Sequence, residues 1–299
     1  MTTVIVPGVD AEHGSEPVGD DERAAAATWR AFRRNPMGLG AAVLLVLLVL
    51  VAVAAPLLAA YPEGFSSDVL APPSSAHWFG TDNLGRDLFA EVVWGTRVSL
   101  TVGFAASFLA IAIGVAVGVL GAYVPRVDTV LRMVVDLSLS LPVLPLMILV
   151  AALAGPSLGT IILVISFFSW PEVARVVRSQ ALSVVNLPYM DAAKVLGGRH
   201  GWIVRRHLLP AVAPVITVTV VLTASRAVLS EAGLSFLGLG DPASWSWGRI
   251  LYESQQSGSM TSAWWTTFFP SLAILLLVVA ATLIAIAYND ARNLRGREA

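Results

Sequence analysis

Residues 98–124 read VSLTVGFAASFLAIAIGVAVGVLGAYV, 27 positions without a charged side chain. About 20 apolar residues are enough to carry a helix across roughly 30 Å of hydrocarbon. Backbone groups in lipid must be satisfied within a helix or a closed barrel, and the period-two alternation of barrel strands is absent here. The stretch therefore predicts a membrane-spanning helix. Ala106, Ala110, Gly114, Gly118 and Ala122 recur at every fourth position. That spacing puts small residues on one helix face, where a second backbone can approach closely. The neighbour is either another helix of the same bundle or a second subunit.

Working outward, Met37–Ala60 and Trp264–Tyr288 also meet the length of a span and are equally free of charge. Three further spans are interrupted. Met133–Ala154 carries Asp136, Pro142 and Pro145; the stretch from Leu158 to Arg178 acquires Glu172, Arg175 and Arg178; Ala211–Leu234 contains Arg226 and Glu231. The expected fold is all-α: a polytopic membrane protein with six transmembrane helices. Composition agrees, with 56% hydrophobic and 13% charged residues, against about 25% charged in a soluble domain. No cysteine is present, which excludes disulfides, thiolate metal sites and thiol redox chemistry. The four histidines lack metal-ligand spacing, and no metal site is assigned.

Charge gives the orientation. With six spans and the N-terminus inside, 15 of the 19 Lys and Arg residues fall on the cytoplasmic side. Arg86, Arg97, Arg226 and Arg249 are the exceptions, placed outside or in the outer half of a span. This asymmetry follows the positive-inside rule and predicts cytoplasmic N- and C-termini. The first 22 residues hold six acids and no base, whereas a secretory signal begins with a basic region. Residues 1–29 are therefore expected to form an acidic, disordered cytoplasmic tail. Residues 30–97 are read as the first span and an extracytoplasmic loop, in which Leu84–Trp94 could form a short helix on the outer surface. Residues 98–290 are read as the core with a cytoplasmic loop at 181–210, and 291–299 as a second tail.

That loop contains LPYMDAAKVLGGRHGWIVRRHLLP, residues 187–210. Pro188 suits the first turn of a helix and Gly197-Gly198 suits its end, so a short helix is expected over Pro188–Leu196. Tyr189, Ala192, Ala193 and Leu196 would share a face. A helix this short is marginal alone in water and needs a surface to pack on. Its own bundle, anionic lipid and a groove on another subunit all qualify on composition.

The order Asp191-Ala192-Ala193, Gly197, Leu209-Pro210 resembles the coupling loop of ABC importer permeases, with Asp191 where the family usually has Glu. Further strings resemble the second permease of dipeptide, oligopeptide and nickel importers: Gly80-Thr81-Asp82 with Gly85-Arg86-Asp87, the run Ser230–Gly240, and Ser246-Trp247-Gly248. The resemblance covers about residues 30–295. It implies the type I ABC importer permease fold, a sister permease, separate ABC ATPase subunits, an extracytoplasmic substrate-binding protein and a lipid setting, with no nucleic acid. On that resemblance, Tyr189, Met190, Asp191, Ala192, Ala193, Lys194, Leu196 and Gly197 would couple to the ATPase. The cargo it implies is a dipeptide or oligopeptide, with nickel or another small ligand as the alternative. Lys194 is the sole lysine and has no Gly-rich loop before it, so this chain has no P-loop. ATP and Mg would belong to the partner subunits, and the chain itself is expected to bind no cofactor and to be no enzyme.

Thr219, Thr223, Arg226 and Ser230 follow i, i+4, i+7, i+11 and form a polar stripe. An ionisable group inside a span is a functional candidate. The stripe is expected to face the substrate path, with Arg226 attracting a carboxylate or pairing with an acid of the sister permease. The competing reading lets Arg226 reach to the outer interface. Asp136 is expected to serve as an intersubunit or backbone partner. Two other classes fit less well. An ion-gradient-driven secondary transporter is disfavoured, since there is no internal repeat and there are few intramembrane acids. Gly155-Pro156-Ser157-Leu158-Gly159 matches a hydrolase elbow, but it joins two spans and reads better as a tight turn.

Overall fold

The computed structural model describes residues 29–293. The expected tails at 1–29 and 291–299 lie almost wholly outside that range. Among the described residues there is no strand beyond one isolated bridge, Thr81 to Asp87. Helix α1 spans Pro36–Leu58, with Pro36 in its first turn and the Asn35 side chain accepting from the N–H groups of Met37 and Gly38. Such a cap satisfies donors that have no partner inside the helix. Helix α2 spans Leu88–Tyr123 and is capped in the same way by Asp87, which accepts from Phe89 and Ala90. The expected separate surface helix over Leu84–Trp94 is not formed. Instead α2 begins at Leu88 and runs without a break into the span, because nothing between Trp94 and Val98 interrupts the hydrogen-bond ladder.

Helices α3 (Pro125–Ser140) and α4 (Val143–Ala154) replace the expected continuous third span and meet at a bend of 85°. The cause is local. Leu141 precedes Pro142, and a residue before proline is pushed out of the helical region; Leu141 takes φ −82° and ψ 147°. Helix α5 (Leu158–Val185) follows a turn in which Gly155 has φ 86° and Ser157 caps the helix by accepting from Thr160 N–H. Gly155–Gly159 is thus a helix-to-helix turn, not a strand-turn-helix elbow.

Helix α6 spans Pro188–Val195. Helix α7 (His200–Ile203) runs through a π turn, Val204–Leu208, into α8 (Leu209–Phe236). Pro210 cannot donate to the carbonyl of Arg206, and the wider π spacing stands just before it. Helices α9 (Trp247–Gln256) and α10 (Ser259–Ser262) precede the last span, α11 (Trp265–Asn293). Among the described residues, five helical segments are long and apolar enough to cross a membrane, and six spans result when the bent α3–α4 pair counts as one.

The small-residue stripe explains the centre of the bundle. Ala106 and Ala110 are fully buried. A Cβ on Gly118 would lie 2.8 Å from the carbonyl oxygen of Ala174 on α5. The stripe therefore seats α5 of the same chain. Helix α3 is clamped to α5 by charge: Arg178 donates to both carboxylate oxygens of Asp128 at 2.6 Å, and Arg175 donates to Asp136 at 2.7 Å. Asp136 thus finds its partner within the subunit.

Candidate functional site

The helix α6 stands in the connection between α5 and α8 and divides its side chains between two fates. Met190 is fully buried, packed in one cluster with Ile203, Leu208, Val212 and Val184, and Ala193 packs against the same cluster. On the other side Val195 and Leu196 are each 87% exposed, and Tyr189 is exposed as well. The expected face of Tyr189, Ala192, Ala193 and Leu196 is therefore split, with Ala193 turned inward beside Met190. Met190 cannot meet another protein in this structure, which removes it from the docking set. Asp191 accepts from Lys194 Nζ at 2.9 Å across one turn. Gly197 ends the helix at φ 81°, and Gly198 N–H returns to the carbonyl of Ala193 at 3.0 Å. The loop is braced further by Tyr123 and His200, whose side chains meet at 3.0 Å.

The polar stripe of α8 faces α5. Arg226 forms an ion pair with Glu172, through Nη1 and Oε1, with side chains 59% and 53% exposed in the isolated subunit. Glu172 lies 14 residues from Leu158 and 13 from Val185, about 20 Å along the axis from either end of α5. Glu172 is thus at mid-length of α5, and Arg226 lies within α8, another segment long and apolar enough to span a membrane. Arg226 is paired with Glu172 on the neighbouring helix, in place of the competing reach to the outer interface. Sequence reasoning singles out Arg226 and passes over Glu172, although an acid and a base in adjacent spans are a usable signal. Thr219 and Thr223 share with the pair a hollow of about 220 Å³, to which Asn289 of α11 also contributes. Thr219 Oγ1 donates back to Val215 at 2.8 Å. Ser230 lies off this hollow. A lone cation facing hydrocarbon at mid-depth costs about 2.5–3.5 kcal/mol on insertion scales, so pairing is the expected state.

The opposite pole is a folded cap made from the family-like strings. Asp82 accepts from Leu84 N–H at 2.8 Å and Arg86 N–H at 2.7 Å, closing the turn, and from Arg86 Nε at 2.7 Å. Gly85 has φ 76°, and a Cβ there would lie 2.5 Å from the carbonyl oxygen of Ser66. Arg86 also pairs with Glu253 and stacks over Trp245 at 4.4 Å, while Arg249 covers Trp245 at 4.3 Å. Glu91 Oε1 sits 3.2 Å from Arg86 Nε, but that N–H is directed at Asp82, so the contact is one of charge and not a hydrogen bond. Burial opposes the Arg86 charge; Glu91, Asp82 and Glu253 outweigh it and raise the guanidinium pKa above its ordinary value. Glu231, buried on α8, accepts from Ser99 at 3.2 Å and Ser235 at 2.6 Å, and Trp247 N–H donates to Ser99 Oγ at 3.3 Å. These strings hold α2, α8 and α9 together. Among the described residues no group of His, Cys, Asp and Glu is arranged to hold a metal ion.

Comparison with known proteins places this architecture. Residues 110–294 match the family described as the binding-protein-dependent transport system inner membrane component, and residues 25–73 match the N-terminal transmembrane domain of oligopeptide transport permease C. The chain is 36% identical over 286 residues to the dipeptide transport system permease protein DppC of Alkalihalophilus pseudofirmus, covering 93% of both chains. It is 34% identical to the oligopeptide transport system permease protein OppC of Bacillus subtilis, covering 87% of this chain and 86% of that one. A glutathione transport system permease protein, GsiD of Pectobacterium atrosepticum, is 35% identical over 88% of each chain. The chain belongs to the family of inner-membrane permease components of binding-protein-dependent ABC transport systems, as a multi-pass protein of the DppC and OppC type.

Proposed function

We propose that this chain is one of two permease subunits of an ATP-driven importer of dipeptides or oligopeptides. The cargo follows from relatives whose names specify dipeptide and oligopeptide transport over almost the whole chain. A sister permease supplies the other half of the path, and a binding protein delivers cargo from outside. Separate ATPase subunits bind ATP and Mg and hydrolyse ATP. The termini are cytoplasmic, as the sorting of Lys and Arg requires.

The observation that carries the coupling role is the two-sided helix α6. Met190 ties it to the bundle, while Val195 and Leu196 stand 87% exposed at its tip. A helix fixed on one face and apolar on the other transmits motion from whatever grips the free face. Tyr189, Asp191, Ala192, Lys194, Leu196 and Gly197 form the docking set. Closure of the ATPases on ATP moves α6, and α5 and α8 move with it, since Met190 packs with Val184 and Val212. The cargo path then opens alternately to either side. Such coupling needs a contact that differs between the two states. Thr219, Thr223, Arg226 and Ser230 line part of the path.

The test is uptake into vesicles holding the purified complex, with and without ATP, against a panel of dipeptides, longer peptides and glutathione. ATP-dependent accumulation of peptides is expected. Uptake driven by an ion gradient without ATP would overturn the assignment.

A further inference from the structure

The Glu172–Arg226 pair is half-exposed in a hollow that Thr219, Thr223 and Asn289 line on its polar side. Val173, Val176, Val215, Val218 and Leu222 line the same hollow. Charged groups within membrane spans face a bundle interior or a watery cavity and not hydrocarbon, and both residues lie within spanning helices, so water or another protein covers this face. The surface is concave, with room for a small polar guest. Only Nη1 and Oε1 are engaged between the two residues, which leaves Nη2, Nε and Oε2 able to bind further groups.

We propose that Glu172 and Arg226 are an opening ion pair on the translocation path, closed on each other at rest and parting to take the two charged ends of a peptide. Arg226 receives the carboxylate, and Glu172 receives the ammonium. The inference rests on the peptide-importer reading above. The pair has no net charge, as a zwitterionic guest has none, so neither end of the cargo meets an unbalanced field. When the pair opens, each residue trades its bond to the other for a bond of the same kind to the guest. An exchange of like for like keeps the net free energy small, which suits passage and not retention. A lone Arg226 would instead hold the carboxylate of every peptide that passed.

The deciding variants neutralise one or both members: Arg226→Gln, Glu172→Gln and the double substitution. Each is measured in the whole complex for dipeptide uptake, with co-purification of the ATPase subunits as the check on assembly. Removing one member of an ion pair leaves a lone charge, whereas removing both leaves none. A pair that only braces α5 against α8 would therefore recover in the double variant. The proposal expects each single variant to fall at least tenfold in uptake, and the assembled double variant to stay at least tenfold down. Recovery of the double variant to within twofold of wild type, unchanged uptake in the single variants, or loss of assembly in the double variant would each overturn it. Absence of peptide uptake by the wild-type complex would instead overturn the peptide-importer reading itself.

Discussion

Gly114 on α2 and Val173 on α5 are in such close contact that a Cβ on the glycine would stand 2.6 Å from both Cβ and Cγ1 of the valine. One turn along, Gly118 meets the Ala174 backbone in the same way. With no hydrophobic drive between helices in lipid, this close packing is what joins them. Gly118→Val is expected to cost about 1–3 kcal/mol, the usual range for an overpacked core. Gly118 should suffer more than Gly114, since a carbonyl cannot turn aside as a side chain can. Thermal unfolding of the detergent-solubilised complex reads both. A variant at Gly118 as stable as wild type would show that α2 and α5 can separate freely.

Arg86, whose side chain is 11% exposed, answers to Asp82, Glu91 and Glu253 together. Arg86→Ala is expected to destabilise by about 3–5 kcal/mol, the cost of leaving buried charges without their partner. Arg86→Lys should recover only part, because a point charge cannot serve three acids and stack on Trp245 as well. The pH dependence has a definite sign. A group whose pKa is raised on folding contributes its stability fully below its unfolded value and loses it as pH rises from there through the folded one. The raised Arg86 pKa therefore keeps the cap intact between about pH 7 and about pH 10. Unfolding at both pH values checks this; a fall in the Arg86 contribution across that window would contradict it.

The tip of α6 and its root should separate cleanly by mutation. Leu196→Asp touches no internal contact, so stability should change by no more than about 0.5 kcal/mol. Uptake should nevertheless fall at least tenfold, and the ATPase subunits should no longer co-purify. Met190→Ala should do the reverse to the fold, costing about 2–5 kcal/mol through the cavity it leaves. Co-purification and unfolding on the same preparations distinguish the two. Normal coupling in Leu196→Asp would remove the tip from the ATPase interface.

Much of this is legible in residue order, for reasons that are local. Span length is set by lipid thickness, so uncharged runs such as Val98–Val124 announce themselves. Pro188 and Gly197 bound α6 because proline and glycine act on their own backbone. What depends on two distant segments is harder. Charge sorting puts Arg226 outside or in an outer half and is silent on Glu172, because that rule counts Lys and Arg by side and knows nothing of pairs. Asp136 is expected to meet another subunit or the backbone, whereas the side chain of Arg175 in its own chain holds it. Pro142 is visible, yet whether it kinks or breaks a span depends on the neighbours that accept the freed backbone groups. The face of α6 is misdrawn at Ala193, since helical spacing alone does not say which neighbour arrives first.

Gly197 offers a test of conformation apart from volume. Its φ is 81°, and a Cβ there would meet nothing within 4 Å. Crowding inside this chain therefore cannot explain a defect at this position. Left-handed backbone is easy for glycine, tolerable for asparagine and unfavourable for β-branched residues. Gly197→Asn should retain most of the uptake. Gly197→Val should lose at least tenfold, because the chain cannot turn back to give the Gly198 N–H to Ala193. Hydrogen exchange at the Gly198 amide supplies the physical readout: faster in the valine variant, near wild type in the asparagine one. If asparagine and valine were equally damaging, the surface of a docked partner, and not the turn, would set the requirement for glycine.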